Sequence, residues 1–224
     1  MGKSPPSYKV LVVGSKNVGK YSLCQQFVKG WIAEKPGDDG PMKKTVQINN
    51  TKVELEVIIH DVEGKEEIGK CDGVILVYSI IDAASLTFVK SIAFQKLHVA
   101  LGSRSNADPG NDKTEDGETT KLRQADEGST KGVEMPTLHP EQVSLSVPVV
   151  LVGTKEDEAK LSRQVDLSDA ETLSQELSCV GFFETAAPCN SNVAKAFECV
   201  AEDIVNKRAN TVTPETKSGC CIVL

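Results

Sequence analysis

The stretch Gly14-Ser15-Lys16-Asn17-Val18-Gly19-Lys20 constrains this chain more than any other part of it. Before it runs a β-branched apolar segment, Tyr8 to Val13. After it, from Lys20 to Gly30, Leu23, Phe27 and Val28 fall at helical spacing. The first segment predicts a buried strand, and the second predicts an amphipathic helix with Gly30 as its C-cap. Two glycines between a strand and a helix let backbone N–H groups curl around a phosphate, and the helix N-terminus adds a favourable field. Gly14, Ser15, Lys16, Asn17, Val18, Gly19, Lys20, Tyr21 and Ser22 are therefore candidate binding positions. Lys20 is placed to reach between the β- and γ-phosphates of a nucleoside triphosphate and is also a candidate catalytic residue. In such loops the residue after the lysine is Ser or Thr, whose hydroxyl holds Mg2+. Here it is Tyr21, whose phenol oxygen lies further out, and Ser22 is turned about 100° around the helix. The loop's own magnesium ligand is expected to be lost.

The rest of the chain alternates strand and helix signals. Lys44 to Asp61 reads as a hairpin, with alternating Val53, Leu55, Val57 and Ile59 after an Asn49-Asn50 turn. Gly73 to Ile80 and Val147 to Val152 are continuous apolar runs, as expected of strands buried on both faces. Ala83 to Leu101 predicts a helix with Leu86, Val89, Ala93 and Leu97 on its inner face. Further on come a helix over Asp169 to Ser178, a strand over Gly181 to Glu184 and a helix over Val193 to Arg208. This order gives a three-layer α/β domain over residues 8–208. Residues 102–146 break the pattern: nine acidic and five basic residues, with few aromatic or β-branched ones, give a net charge of −4. That composition cannot offset its ordering entropy, so it reads as a disordered acidic insertion, either inert or partner-binding. Residues 209–224 read as a flexible tail.

A net charge of −7 argues against nucleic acid as a partner, which usually needs a basic face. No apolar run is long enough to span a bilayer. The N-terminal segment lacks the hydrophobic region of a signal peptide, so Cys24, Cys71, Cys179, Cys189 and Cys199, five of the seven cysteines, are expected to be reduced rather than bridged or metal-bound.

Three further stretches carry a family resemblance. Thr154-Lys155-Glu156-Asp157 follows the apolar run that ends VVLVG, Asp61-Val62-Glu63-Gly64 begins 41 residues after Lys20, and Glu184-Thr185-Ala186-Ala187 follows a short strand. With the phosphate loop, and in this order, they resemble the Ras superfamily of small GTPases. The resemblance implies the P-loop small-GTPase fold, a three-layer sandwich with a mostly parallel sheet and one antiparallel hairpin strand. It implies GTP and GDP as ligands. Asp157 would accept hydrogen bonds from guanine, the Lys155 stem would cover the base, and Thr154 would belong to the same loop. The backbone at Ala186 and Ala187 would reach the guanine oxygen. Asp61 would hold Mg2+ through water, and the Gly64 N–H would sense the γ-phosphate.

The chain departs from this family at its moving parts. No Ser or Thr lies between Ser22 and Thr45, so the residue that contacts Mg2+ and the γ-phosphate is missing. Lys65 takes the position of the water-orienting Gln; charged, it cannot accept a proton, although it can stabilise transition-state charge. Only residues 65–72 separate Gly64 from the next strand, and no arginine precedes Arg104. Hydrolysis is therefore expected to be weak or absent.

Cys221-Ile222-Val223-Leu224 fits a prenylation signal whose terminal Leu favours geranylgeranyl, with Cys220 placed for palmitate or a second prenyl group. The expected protein is a monomer, lipid-anchored on the cytoplasmic face of the plasma membrane or an endomembrane. It would work in small-GTPase signalling through effector or regulator proteins. The alternative is a pseudo-GTPase scaffold that does not cycle.

Overall fold

The computed structural model describes residues 4–33, 42–60, 71–93 and 147–211. The segments 61–70, 94–146 and 212–224 lie outside the described residues, and with them Asp61, Gly64, Lys65, the acidic insertion, Cys220 and Cys221.

Six strands form one sheet: β1 (Ser7–Gly14), β2 (Met42–Ile48), β3 (Thr51–His60), β4 (Gly73–Ser79), β5 (Val149–Thr154) and β6 (Gly181–Glu184), in the order β2-β3-β1-β4-β5-β6. Among the described strands only the β2–β3 pair is antiparallel, as expected from the hairpin. Its turn is set by local chemistry: Asn49 and Asn50 both take positive φ, 48° and 63°, which bulkier side chains resist. The helices are α1 (Lys20–Lys29), α2 (Ala83–Phe88), α3 (Ala159–Ser162), α4 (Leu167–Glu176) and α5 (Val193–Thr211). Gly30 closes α1 as expected, in the left-handed conformation and donating to the Gln26 carbonyl.

Strands β1, β4 and β5 are buried on both faces, which explains why they read as continuous apolar runs. Strict alternation divides their side chains between two cores. Val10, Val12, Ile75, Val77, Val150 and Val152 pack with α1 and α5. Leu11, Val13, Val74, Leu76 and Leu151 face the side of α4 and the residues after α2. In the first core Phe27 of α1 stacks on Phe197 of α5, ring centroids 3.9 Å apart and 6° from parallel. Lys44 of β2 sits over the outer part of this pair, its Nζ 4.5 Å from the Phe27 ring centroid.

Three elements differ from the pattern reading. The helix expected from Ala83 ends its α-helical part at Phe88 and continues as a π-turn over Val89–Ala93. Asp82 starts it by accepting the Ala84 N–H at 3.1 Å. Helix α4 begins two residues earlier than expected, and α5 extends to Thr211. A 3-10 turn (Glu156–Glu158) and the short α3 follow β5 in a polar segment that has no readable period.

Because Phe27 is buried and stacked, Phe27→Ala should lower the unfolding free energy by about 3–5 kcal/mol in urea titration, whereas Phe27→Leu should cost less than half of that.

Candidate functional site

The carboxyl ends of β1, β5 and β6 open onto one rim of the sheet, where α/β folds of this kind place their ligand sites. β1 delivers residues 14–20, β5 delivers 154–157, and β6 delivers 185–191.

The first loop is shaped by its glycines. A Cβ on Gly14 would lie 2.2 Å from the Val77 carbonyl oxygen, so no side chain fits where β1 meets β4. Gly19 stands before α1 at φ 92°, and Asn17 also takes positive φ. The loop encloses the Lys20 ammonium, which is buried and donates to the Gly14 carbonyl at 2.9 Å and the Ser15 carbonyl at 2.8 Å. A buried ammonium enclosed by a glycine loop at a helix N-terminus suits an anionic ligand. Ser15 Oγ is buried with no hydrogen-bond partner among the described residues, a second polar atom ready for such a ligand. Lys16 and Asn17 are exposed, Val18 is buried in the first core, and Ser22 is half-buried.

The second loop is tied to the first through Thr154, whose side chain turns away from solvent. Its buried hydroxyl faces the Val18 carbonyl of the phosphate loop and, at 3.0 Å, the Tyr78 carbonyl of β4. The candidate base-side residue Thr154 therefore acts as a brace between loops. Beyond it Lys155 is half-buried in the left-handed conformation, φ 64°, and Asp157 stands exposed in the 3-10 turn.

The third loop is held by backbone bonds. Thr185 N–H donates to the Gly153 carbonyl at 2.7 Å, and Glu156 N–H donates to the Thr185 carbonyl at 3.1 Å. Ala186 is fully buried and exchanges bonds with Ser191, while Ala187 is half-buried. Asn192 Nδ2 donates to the Glu184 carbonyl at 3.0 Å, and both carboxylate oxygens of Glu184 accept from Arg163 at 2.7 Å. This fork-to-fork pair fixes β6 to the segment after α3.

Sequence reasoning missed Arg163, Asn192 and Gln25. Gln25 is fully buried in α1; its Nε2 donates to the Tyr21 hydroxyl at 2.9 Å, and its Oε1 accepts the Ala33 N–H at 2.8 Å. The four-residue spacing of Tyr21 and Gln25 is the one signal that could have pointed to it. Cys24 lies close to Lys20, but burial pushes its thiol far above the ordinary range, against the smaller opposing pull of Lys20. It is a packing residue and not a nucleophile. The five described cysteines are free, and among the described residues no cluster of His, Cys, Asp and Glu could hold a metal.

Removing the Thr154 hydroxyl takes away the one proton that the buried Val18 and Tyr78 carbonyls share. Thr154→Val should lower the unfolding free energy by about 1–3 kcal/mol, and Thr154→Ser should retain most of it.

The comparisons with known proteins agree with this arrangement. The Ras family model matches residues 9–105 and 134–206. GTP-binding protein rhb1 of Schizosaccharomyces pombe is 26% identical over 96% of this chain and 97% of its own length. Ras-like protein B of Aspergillus fumigatus is 29% identical over 90% of this chain and 79% of its own. Small monomeric GTPase RhbA of the same fungus is 26% identical over the whole of both chains. A family match over most of the chain, taking in the loop that holds Lys20 and the brace at Thr154, places this chain in the Ras family of small GTPases.

Proposed function

We propose that this chain is a membrane-attached guanine-nucleotide-binding protein that acts in small-GTPase signalling and hydrolyses GTP slowly or not at all. The observation that carries the reading is the buried Lys20 ammonium, set in a glycine loop that Thr154 braces against the 154–157 segment. One rim thus offers a cation for phosphates and, beside it, a carboxylate at Asp157 for a base.

Each residue does simple chemistry. Lys20 and the N–H groups of residues 14–20 neutralise and orient the phosphates, in a field strengthened by the start of α1. Asp157 accepts from the guanine ring N–H and amino group, donors that adenine does not present in that pattern. The Lys155 stem lies along the base, and the Ala187 N–H donates to the guanine oxygen, the Ala186 N–H being engaged by the Ser191 carbonyl. Slow hydrolysis rests on residue identity alone. Lys65 at the water-orienting position cannot accept a proton while charged, and the chain has no arginine before Arg104. A missing arginine alone removes on the order of 10³- to 10⁵-fold in rate.

Membrane attachment rests on Cys221 within the terminal Cys-Ile-Val-Leu and on Cys220 beside it, since one lipid chain seldom anchors stably. No helix among the described residues is long and apolar enough to cross a membrane, so lipid is the means of attachment proposed.

Denaturing the purified protein and separating what it releases should give near-stoichiometric GDP or GTP. Lys20→Ala and Asp157→Ala should each weaken retention on the order of 10- to 100-fold, through the loss of charge-assisted hydrogen bonds. GTP turnover comparable to that of an activated family enzyme, abolished by Lys20→Ala, would overturn the slow-hydrolysis reading. In cells, Cys221→Ser should move the protein from the membrane pellet to the soluble fraction.

A further inference from the structure

Residue 21 is the first after the phosphate-loop lysine, the position from which a compact hydroxyl would hold a metal ion. Magnesium asks for compact oxygen ligands at about 2.0–2.1 Å in octahedral array. The Tyr21 phenol oxygen instead accepts from Gln25 Nε2 at 2.9 Å, one turn along α1, while its ring packs on the first core. The loop's residue at this position does not fit the ion.

What Tyr21 joins instead is legible from hydrogen-bond chemistry. The Ala33 N–H can only donate, which sets Gln25 Oε1 towards it at 2.8 Å and leaves Nε2 to the phenol. Gln25 is fully buried, so its amide must find partners inside the protein. Ala33 is the last described residue before β2 begins at Met42. The relay Tyr21–Gln25–Ala33 therefore ties the start of α1, the phosphate-loop helix, to the chain just beyond its end, past the Gly30 cap.

We propose that Tyr21 is a positioning residue: through the Gln25 amide it registers Ala33 to the phosphate loop by direct hydrogen bonds. That link does not run through a metal ion. The proposal rests on the nucleotide-binding reading for its consequence, which is that nucleotide retention becomes insensitive to removal of magnesium.

The chain carries its own reporter. Trp31 is its single tryptophan, 55% exposed, two residues before Ala33, with Lys29 Nζ 5.1 Å from the ring centroid. Tyr21→Phe keeps the packed ring and removes only the hydroxyl. In the full-length protein it should shift Trp31 emission, and release of a fluorescent GDP should quicken about fivefold, the worth of one hydrogen bond. Chelating magnesium with EDTA should change release from the unmodified protein by less than about twofold, a step too small to be the loss of a metal link. Tyr21→Ser, which restores a compact hydroxyl, should gain an EDTA response on the order of tenfold. Unchanged Trp31 emission in Tyr21→Phe would overturn the relay. Release from the unmodified protein that accelerates tenfold or more with EDTA would overturn its independence from metal. A protein that retains no nucleotide in either condition would sink the nucleotide-binding reading, and Trp31 emission would still decide the relay.

Discussion

Backbone crowding at the carboxyl ends of β1, β4 and β5 is the constraint from which the site follows. These strands are buried on both faces, so no water is available to satisfy a polar group where they end. Gly14 is needed because the β4 carbonyl of Val77 occupies the space of a side chain. Thr154 is needed because the carbonyls of Val18 and Tyr78 face one another across a gap that only a small donor can fill. The loop is held by its neighbours at Gly14 and at Val18. The ammonium of Lys20 can then be kept buried at a fixed place, as selective recognition of an anion requires.

Stability and recognition are divided between different kinds of interaction. The two apolar cores, with the Phe27–Phe197 stack in one, secure α1, α4 and α5 to the sheet. Several of the buried polar side chains lie at the rim or in α1, among them Lys20, Gln25, Thr154 and Thr185. Each of the last three closes a bond between segments distant in sequence or across a helix end. A change in a core residue should be felt as lost stability, and a change at the rim as lost geometry.

What the sequence makes legible is what short-range chemistry decides. The strand at Tyr8, the helix after Lys20, the Gly30 cap and the Asn49-Asn50 turn each follow from a period or a turn preference within about ten residues. The inward turn of Thr154 could not be read, because its acceptor Val18 lies 136 residues away. The Arg163–Glu184 fork joins two segments whose approach depends on the sheet order, and the π-turn after Phe88 leaves no compositional mark. The switch acid Asp61, Gly64 and Lys65, like Cys220 and Cys221, lie outside the described residues and stand on sequence alone.

At the opposite end of the central strands, Asp72 receives the Lys9 N–H at 2.8 Å and pairs with Arg208, whose guanidinium lies 4.8 Å from the Tyr8 ring centroid. This clamp fixes the end of α5 beside the amino ends of β1 and β4, on the far side from the Lys20 loop. From Thr211 to Cys221 the chain has ten residues, a leash of at most about 35 Å. Under the proposed lipid attachment at Cys221, the point where the chain leaves the domain would lie at the end of the sheet away from the Lys20 loop.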